Sequence, residues 1–303
     1  MNLLPRRSES PEGASHRAMP LPASRLSLVP PQQHRPTAFA LWHLLSLDAP
    51  TVAALWVVFL AHCCGLSLPR SGPAAMFVGV WMLYAADRLL DALSPSELEE
   101  RHRFHHRHRA AFLSLITFCA LALAFLLLRL DTRALKLYSL LATLLAAWLL
   151  LVHARPSAAT RRLPKEFAVG IFFSAAVFIP TVVRAPSLRL PLLCSAALFA
   201  AVCTLNCLCI YAWEHERPRL QAHWTTRWAT SHLRELGGLV VVLALVAVVI
   251  VSQPYVRLPA AACAGSTLLL LLLDANQHRF APVHLRAAAD LALLTPLLLW
   301  SLS

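Results

Sequence analysis

Charge is scarce in this chain, and so is glycine. Of 303 residues, 14% are charged and 8 are glycine. A soluble domain of ordinary composition carries about 25% charged residues. With 58% hydrophobic residues and a mean hydropathy of +0.61, the apolar surface is too large for one soluble core. The chain must be polytopic and α-helical, because in lipid each backbone polar group has to be satisfied within its own segment. Strand-like alternation with aromatic girdles is missing, which excludes a β-barrel. No early apolar run marks a secretory signal, and Glu9 and Glu12 argue against a transit peptide. Eight cysteines are present, all in or beside apolar stretches, as expected of small buried hydrophobes rather than a disulfide framework.

What is there is a series of apolar segments. Nine spans are expected, roughly at 49–67, 73–93, 110–128, 134–153, 165–183, 190–213, 236–252, 258–274 and 285–302. The fold class is therefore all-α, a polytopic membrane bundle of about nine transmembrane helices. Pro50, Pro73, Pro191 and Pro259 fall near span starts, where a missing N–H costs little. Pro180 and Pro296 fall inside and should kink their helices. Residues 1–37, rich in Pro, Ser and Arg, should form a disordered cytoplasmic tail, ahead of a transmembrane domain at 38–303. Residues 38–47 read as a short interfacial helix with Trp42 at headgroup depth.

The net charge of +12 does not point to nucleic acid, because the charges lie in short loops between apolar segments. Counting Lys and Arg by alternating loops gives 20 on the side of the N-terminus and 7 on the other. The positive-inside rule then puts the N-terminus in the cytoplasm and the C-terminus outside. The Arg- and Ala-rich composition points to a bacterial inner membrane, with the lipid bilayer as a partner.

Acidic residues share this asymmetry, and two groups stand out. Asp87 and Asp91 close span two, four residues apart on one helix face. Asn206 and Glu214 close span six, about two turns apart on nearly one face. Acids at membrane depth default to a functional reading. Carboxylate and amide oxygens suit Mg²⁺, commonly held by one or two carboxylates plus substrate phosphates, and loop arginines and lysines could clamp those phosphates. The plainer account pairs the aspartates with Arg88 and loop arginines, and treats Glu214 and Glu216, beside Arg217 and Arg219, as a solvated charge run. Asp290, in span nine, is expected to pair with Arg286 one turn earlier.

This placement resembles the UbiA-type prenyltransferase superfamily, nine-helix membrane enzymes with acidic motifs after helices two and six. The first family motif, Asn-Asp-x-x-Asp-x-x-x-Asp, is met by Asp87 and Asp91, with Ala86 and Pro95 in place of its leading Asn and third Asp. The second appears reduced to Asn206 and Glu214. Arg161-Arg162-Leu163-Pro164-Lys165 resembles the family's basic turn into helix five. The resemblance covers roughly residues 40–303. It implies Mg²⁺ on Asp87, Asp91 and Glu214, with Asn206 as a neutral ligand. It also implies a prenyl diphosphate held by Arg162, Lys165 and Arg88, and transfer to an aromatic or other lipophilic acceptor. Trp81, Tyr84, Phe172 and Tyr211 would line the chamber. A catalytically inactive member is the alternative.

Three other readings compete. His102-x-x-His105-His106 has the shape of one histidine box of a membrane di-iron oxygenase, but the remaining histidines form no second box. The bland account of that loop is an anchor on anionic headgroups, with Phe104 dipping to the interface. Cys203 and Cys207 share a helix face, a weak zinc signal and a common packing pattern. A transporter would use Asp290 as a proton relay, but no internal repeat supports it.

Overall fold

The computed structural model describes residues 38–91, 104, 107–153, 164–215 and 222–302. The tail at 1–37, most of the histidine-rich loop, and Arg162 lie outside them. The described residues are all-α, with no strand among them.

The described residues form twelve α-helices, of which the first eleven take labels in chain order. They are α1 (Ala38–Leu44), α2 (Asp48–Cys63), α3 (Ser71–Asp91), α4 (Arg109–Leu127), α5 (Thr132–His153) and α6 (Lys165–Arg184). Then come α7 (Arg189–Glu214), α8 (Trp224–Ser231), α9 (Leu233–Ile250), α10 (Pro254–Ala275) and α11 (Pro282–Leu291). Eight of the nine expected spans each overlap one helix; the ninth, 285–302, does not form a single helix. Six stretches, formed by α4–α7, α9 and α10, are long and apolar enough to cross a bilayer. By length and composition these make the chain an integral membrane protein.

The termini follow from local chemistry. α2 stops in a Schellman turn: Gly65 takes a positive φ of 65°, its N–H reaches the His62 carbonyl, and the Leu66 N–H reaches the Ala61 carbonyl. The last expected span is interrupted. Pro296 supplies no N–H and crowds the carbonyl four residues back, so α11 gives way to a 3₁₀ turn at Ala292–Leu294 and a short helix at Pro296–Leu299. The Thr295 hydroxyl ties this break to α10, donating to the Ala262 carbonyl at 2.8 Å and meeting Ser266 Oγ at 2.8 Å.

α2 and α7 are the central helices. α2 packs on α3, α6, α10 and α11; α7 packs on α6, α9, α10 and α11. Between them Trp56 lies tilted against Phe199 with ring centroids 4.1 Å apart, both fully buried, and the Trp56 indole N–H donates to the Leu293 carbonyl at 2.8 Å. In lipid there is little hydrophobic drive between helices, so close packing and hydrogen bonds hold them together. Gly170 shows this. A Cβ there would sit 2.1 Å from Thr204 Oγ1 and 2.6 Å from the Ala200 carbonyl oxygen, so its absence lets α6 and α7 touch. The Ser174 hydroxyl adds a bond to the Ala196 carbonyl at 2.8 Å. By contrast α4, α5 and α9 leave rows of Leu, Val and Phe exposed, including Phe118, Leu121, Leu150 and Val249, as suits helices facing acyl chains.

Candidate functional site

One end of the bundle collects charge. The start of α2, the end of α3, the end of α7 and the start of α11 meet there, and each brings ionisable or amide side chains.

The turn from α1 into α2 comes first. Its side chains alternate: Leu45 and Leu47 line an apolar pocket, while Ser46 and Asp48 are buried on the other side. Ser46 holds a left-handed φ of 60°, a conformation costing an L-residue about 1–2 kcal/mol. Arg88, buried at the end of α3, braces it. One guanidinium nitrogen donates to the His43 carbonyl at 2.9 Å and to Ser46 Oγ at 2.6 Å; the other lies 3.7 Å from Asp48 Oδ2. His43 Nδ1 sits 2.6 Å from the same Asp48 oxygen. The second Asp48 oxygen accepts the Ala49 N–H at 3.0 Å.

α7 and α11 run antiparallel and match in depth. At the mouth, Glu214 pairs with Arg286. One turn deeper on α11, Asp290 Oδ1 accepts from Asn206 Nδ2 at 2.9 Å. Asp290 also meets Asp48, and Tyr84 of α3 neighbours both, along with Cys203 and Cys207 of α7. His43, Asp48 and Asp290 each offer a ligand atom, and these atoms lie within 4.8 Å of one another. Two carboxyls this close need a shared proton or a cation between them.

The apolar pocket abuts this cluster. It measures about 280 Å³ and is lined by Leu45, Leu47, Trp81, Phe104, Phe112 and Leu115, with Ala111 and His108. The Trp81 indole N–H donates to the Leu45 carbonyl at 3.0 Å, and its ring stacks parallel to Phe112.

The residues singled out by sequence fall as follows. Arg88 is buried and engaged with the α1–α2 turn. Asp87, next to it, is exposed. Asp91 is the last residue of α3, and its side chain is outside the described set. Asn206 is buried against Asp290, and Glu214 is held by Arg286. Lys165 is exposed at the first position of α6. Arg162, His102, His105 and His106 lie outside the described residues. All eight cysteines are free, Cys194 alone exposed.

Two expectations need correction. Asp290 does not bond Arg286: the arginine, nearer the helix end, reaches Glu214, and the aspartate, one turn deeper, meets Asn206. Glu214 is therefore an ion-paired residue, not part of a solvated run. The 38–47 segment packs inward at this end, α1 lying on α11 and burying His43 and Leu44. Phe104 turns into the pocket against Phe112.

Sequence reasoning missed His43 and Asp48. The available signal was an acid on the first turn of an apolar helix, five residues after a histidine. Two further acids at this end have structural partners. Asp274 accepts from Trp213 at 3.1 Å and from Arg234 at 3.3 Å, and Glu166 accepts from Thr226 at 2.9 Å.

No family model, curated protein or solved structure matches the chain. Fold and site together define a helical integral membrane protein with a buried ionic cluster at one end of its bundle.

Proposed function

We propose that the chain is a UbiA-like membrane prenyltransferase, moving a prenyl group from a prenyl diphosphate to an aromatic or other lipophilic acceptor. The observation that carries this reading is the alternation at 45–48, which sets an apolar, aromatic-walled pocket directly against a charged cluster. An amphiphile with an ionic head and an isoprenoid tail needs both surfaces side by side. The cluster sits at the end of α3, the helix that carries Asp87 and Asp91.

The donor chemistry fits Mg²⁺. Asp87, Asp91 and, on release from Arg286, Glu214 would offer carboxylate oxygens, and Asn206 an amide oxygen. Bound there, the ion would offset charge on the departing diphosphate. The chain's own groups do the rest. Lys165 and Arg162 would hold phosphate oxygens. Arg88 keeps the 45–48 turn in shape. Trp81 and Tyr84 present ring faces that favour positive charge on the allyl group, and the packed helices around them keep water out. The N-terminus is proposed to lie in the cytoplasm and the C-terminus outside, in a bacterial inner membrane.

The test is incubation of purified protein with labelled prenyl diphosphates of several chain lengths, with and without Mg²⁺. Mg²⁺-dependent release of diphosphate, with label moving to an added aromatic acceptor, supports the reading. No release at any length, from protein that elutes as a single folded species, leaves a UbiA-like protein without catalysis.

A further inference from the structure

The strongest unassigned feature is the meeting of His43, Asp48 and Asp290, which joins α1, α2 and α11. A second observation points to a ligand there. Asn206 is 7% exposed, so more than nine-tenths of it is buried. Its Nδ2 bonds Asp290, while Oδ1 of the same amide is enclosed and has no hydrogen-bond partner. A buried amide oxygen left unpaired costs about 1–3 kcal/mol. A half-turn of the amide would present that oxygen to Asp290 in place of Nδ2.

We propose that His43 Nδ1, Asp48, Asp290 and the Asn206 amide oxygen form a binding site for one divalent first-row transition-metal ion. The ligand set decides the class. Mg²⁺ favours an all-oxygen octahedron, whereas imidazole nitrogen mixed with carboxylate suits Zn²⁺, Fe²⁺ or Co²⁺. Metal–ligand distances of about 2.0–2.2 Å put two ligands of one ion at most about 4.4 Å apart. Atoms already within 4.8 Å of one another therefore need side-chain shifts of a few tenths of an ångström. Binding replaces the His43–Asp48 hydrogen bond. The Nδ1 proton, where present, leaves to solvent or moves to Nε2, so uptake weakens with acid. Arg88 is 3.7 Å from the Asp48 oxygen, beyond hydrogen-bond reach. Its charge weakens binding without filling the ligand position. Glu214 and Arg286 neutralise one another at the mouth. The site is distinct from the Mg²⁺ ligands proposed above, except for Asn206.

The experiment uses the full chain in detergent, stripped with a chelator and titrated with Co²⁺ in the absence of any prenyl diphosphate. Its outcome is therefore independent of catalysis. The expected result is one Co²⁺ per chain with a visible absorption band, displaced by Zn²⁺ but not by a hundredfold excess of Mg²⁺. His43→Ala and Asp290→Asn each weaken binding at least tenfold. Asp274→Asn, which removes an acid outside the cluster, binds as the unaltered chain does. Asn206→Asp supplies an anionic ligand, so it tightens binding at least tenfold. Without metal this variant melts below the unaltered chain, and Zn²⁺ recovers it. This guards against a His43 variant that does not fold. Absence of Co²⁺ uptake would mean that a proton alone sits between the carboxyls, and would overturn the proposal. So would equal displacement by Mg²⁺, binding indifferent to His43→Ala, or an Asn206→Asp variant whose melting ignores metal.

Discussion

Asn206 donates to Asp290 across 2.9 Å, joining α7 to α11 two turns along α7 and one turn along α11 from the ion pair of Glu214 and Arg286. The two contacts form a ladder, and the ladder fixes how deep the ionic cluster sits. Asn206→Leu removes the inner rung and leaves the carboxyl of Asp290 facing a hydrocarbon. The expected loss is about 1–3 kcal/mol, read as a lower melting temperature in detergent. Asn206→Gln, which keeps the amide, should recover part of it. Equal melting of Asn206→Leu and the unaltered chain would remove the rung from the account.

Neighbours at 87 and 88 should behave differently. Arg88→Ala leaves Asp48 buried without its cation and frees the strained Ser46 turn, a loss of about 3–5 kcal/mol. Asp87→Asn, at an exposed position, should shift melting far less than Arg88→Ala and act chiefly on Mg²⁺-dependent turnover. Thermal melts of the two variants check this. An Arg88→Ala protein as stable as Asp87→Asn would contradict the bracing role.

The contact of α6 with α7 gives a test of packing alone. Gly170→Ala places a Cβ against backbone at Ala200, so the helices must separate, at a cost of about 1–3 kcal/mol. Gly238→Ala meets nothing within 4 Å and should be neutral or slightly stabilising, since Ala favours helix. Comparing the two melts isolates the close approach. Equal melts would mean that the helices do not touch at Gly170.

Orientation can be read chemically. Cysteine placed at Asp131, between α4 and α5, should react with a membrane-impermeant maleimide added to intact cells. Cysteine at Ser231, the last residue of α8, should react only after the membrane is opened. The reverse pattern would invert the proposed topology.

Much of the fold could be read from periodicity and composition. α7 was expected at 190–213 and runs Arg189–Glu214; α6 was expected at 165–183 and runs Lys165–Arg184. Such segments are bounded by proline and charge, which sequence displays directly. The last span was harder. Pro296 announced a kink, but not that Thr295 would bond across to α10 and hold the break open. The site was legible in part. The polar ends of spans two and six were visible because acids in apolar helices are costly. Asp48 sits in the first turn of α2, where the helix N-terminus favours an acid whatever its role, and His43 lies in a seven-residue helix too short for its buried face to show. Which acid meets which arginine depends on relative helix depth, and no single segment encodes that. This is why Asp290 was expected beside Arg286 and is found beside Asn206.

The central claim is that one amphiphile lies across the 45–48 turn, its head at the ionic cluster and its tail among Trp81, Phe104 and Phe112. The most direct measurement is photolabelling with a prenyl diphosphate analogue carrying a diazirine on its tail, followed by peptide mapping. The account predicts label on α3 and on the stretch 104–115, competed by unmodified prenyl diphosphate and lost in Trp81→Ala. Label confined to the lipid-facing surfaces of α5 and α9, untouched by competitor, would contradict it.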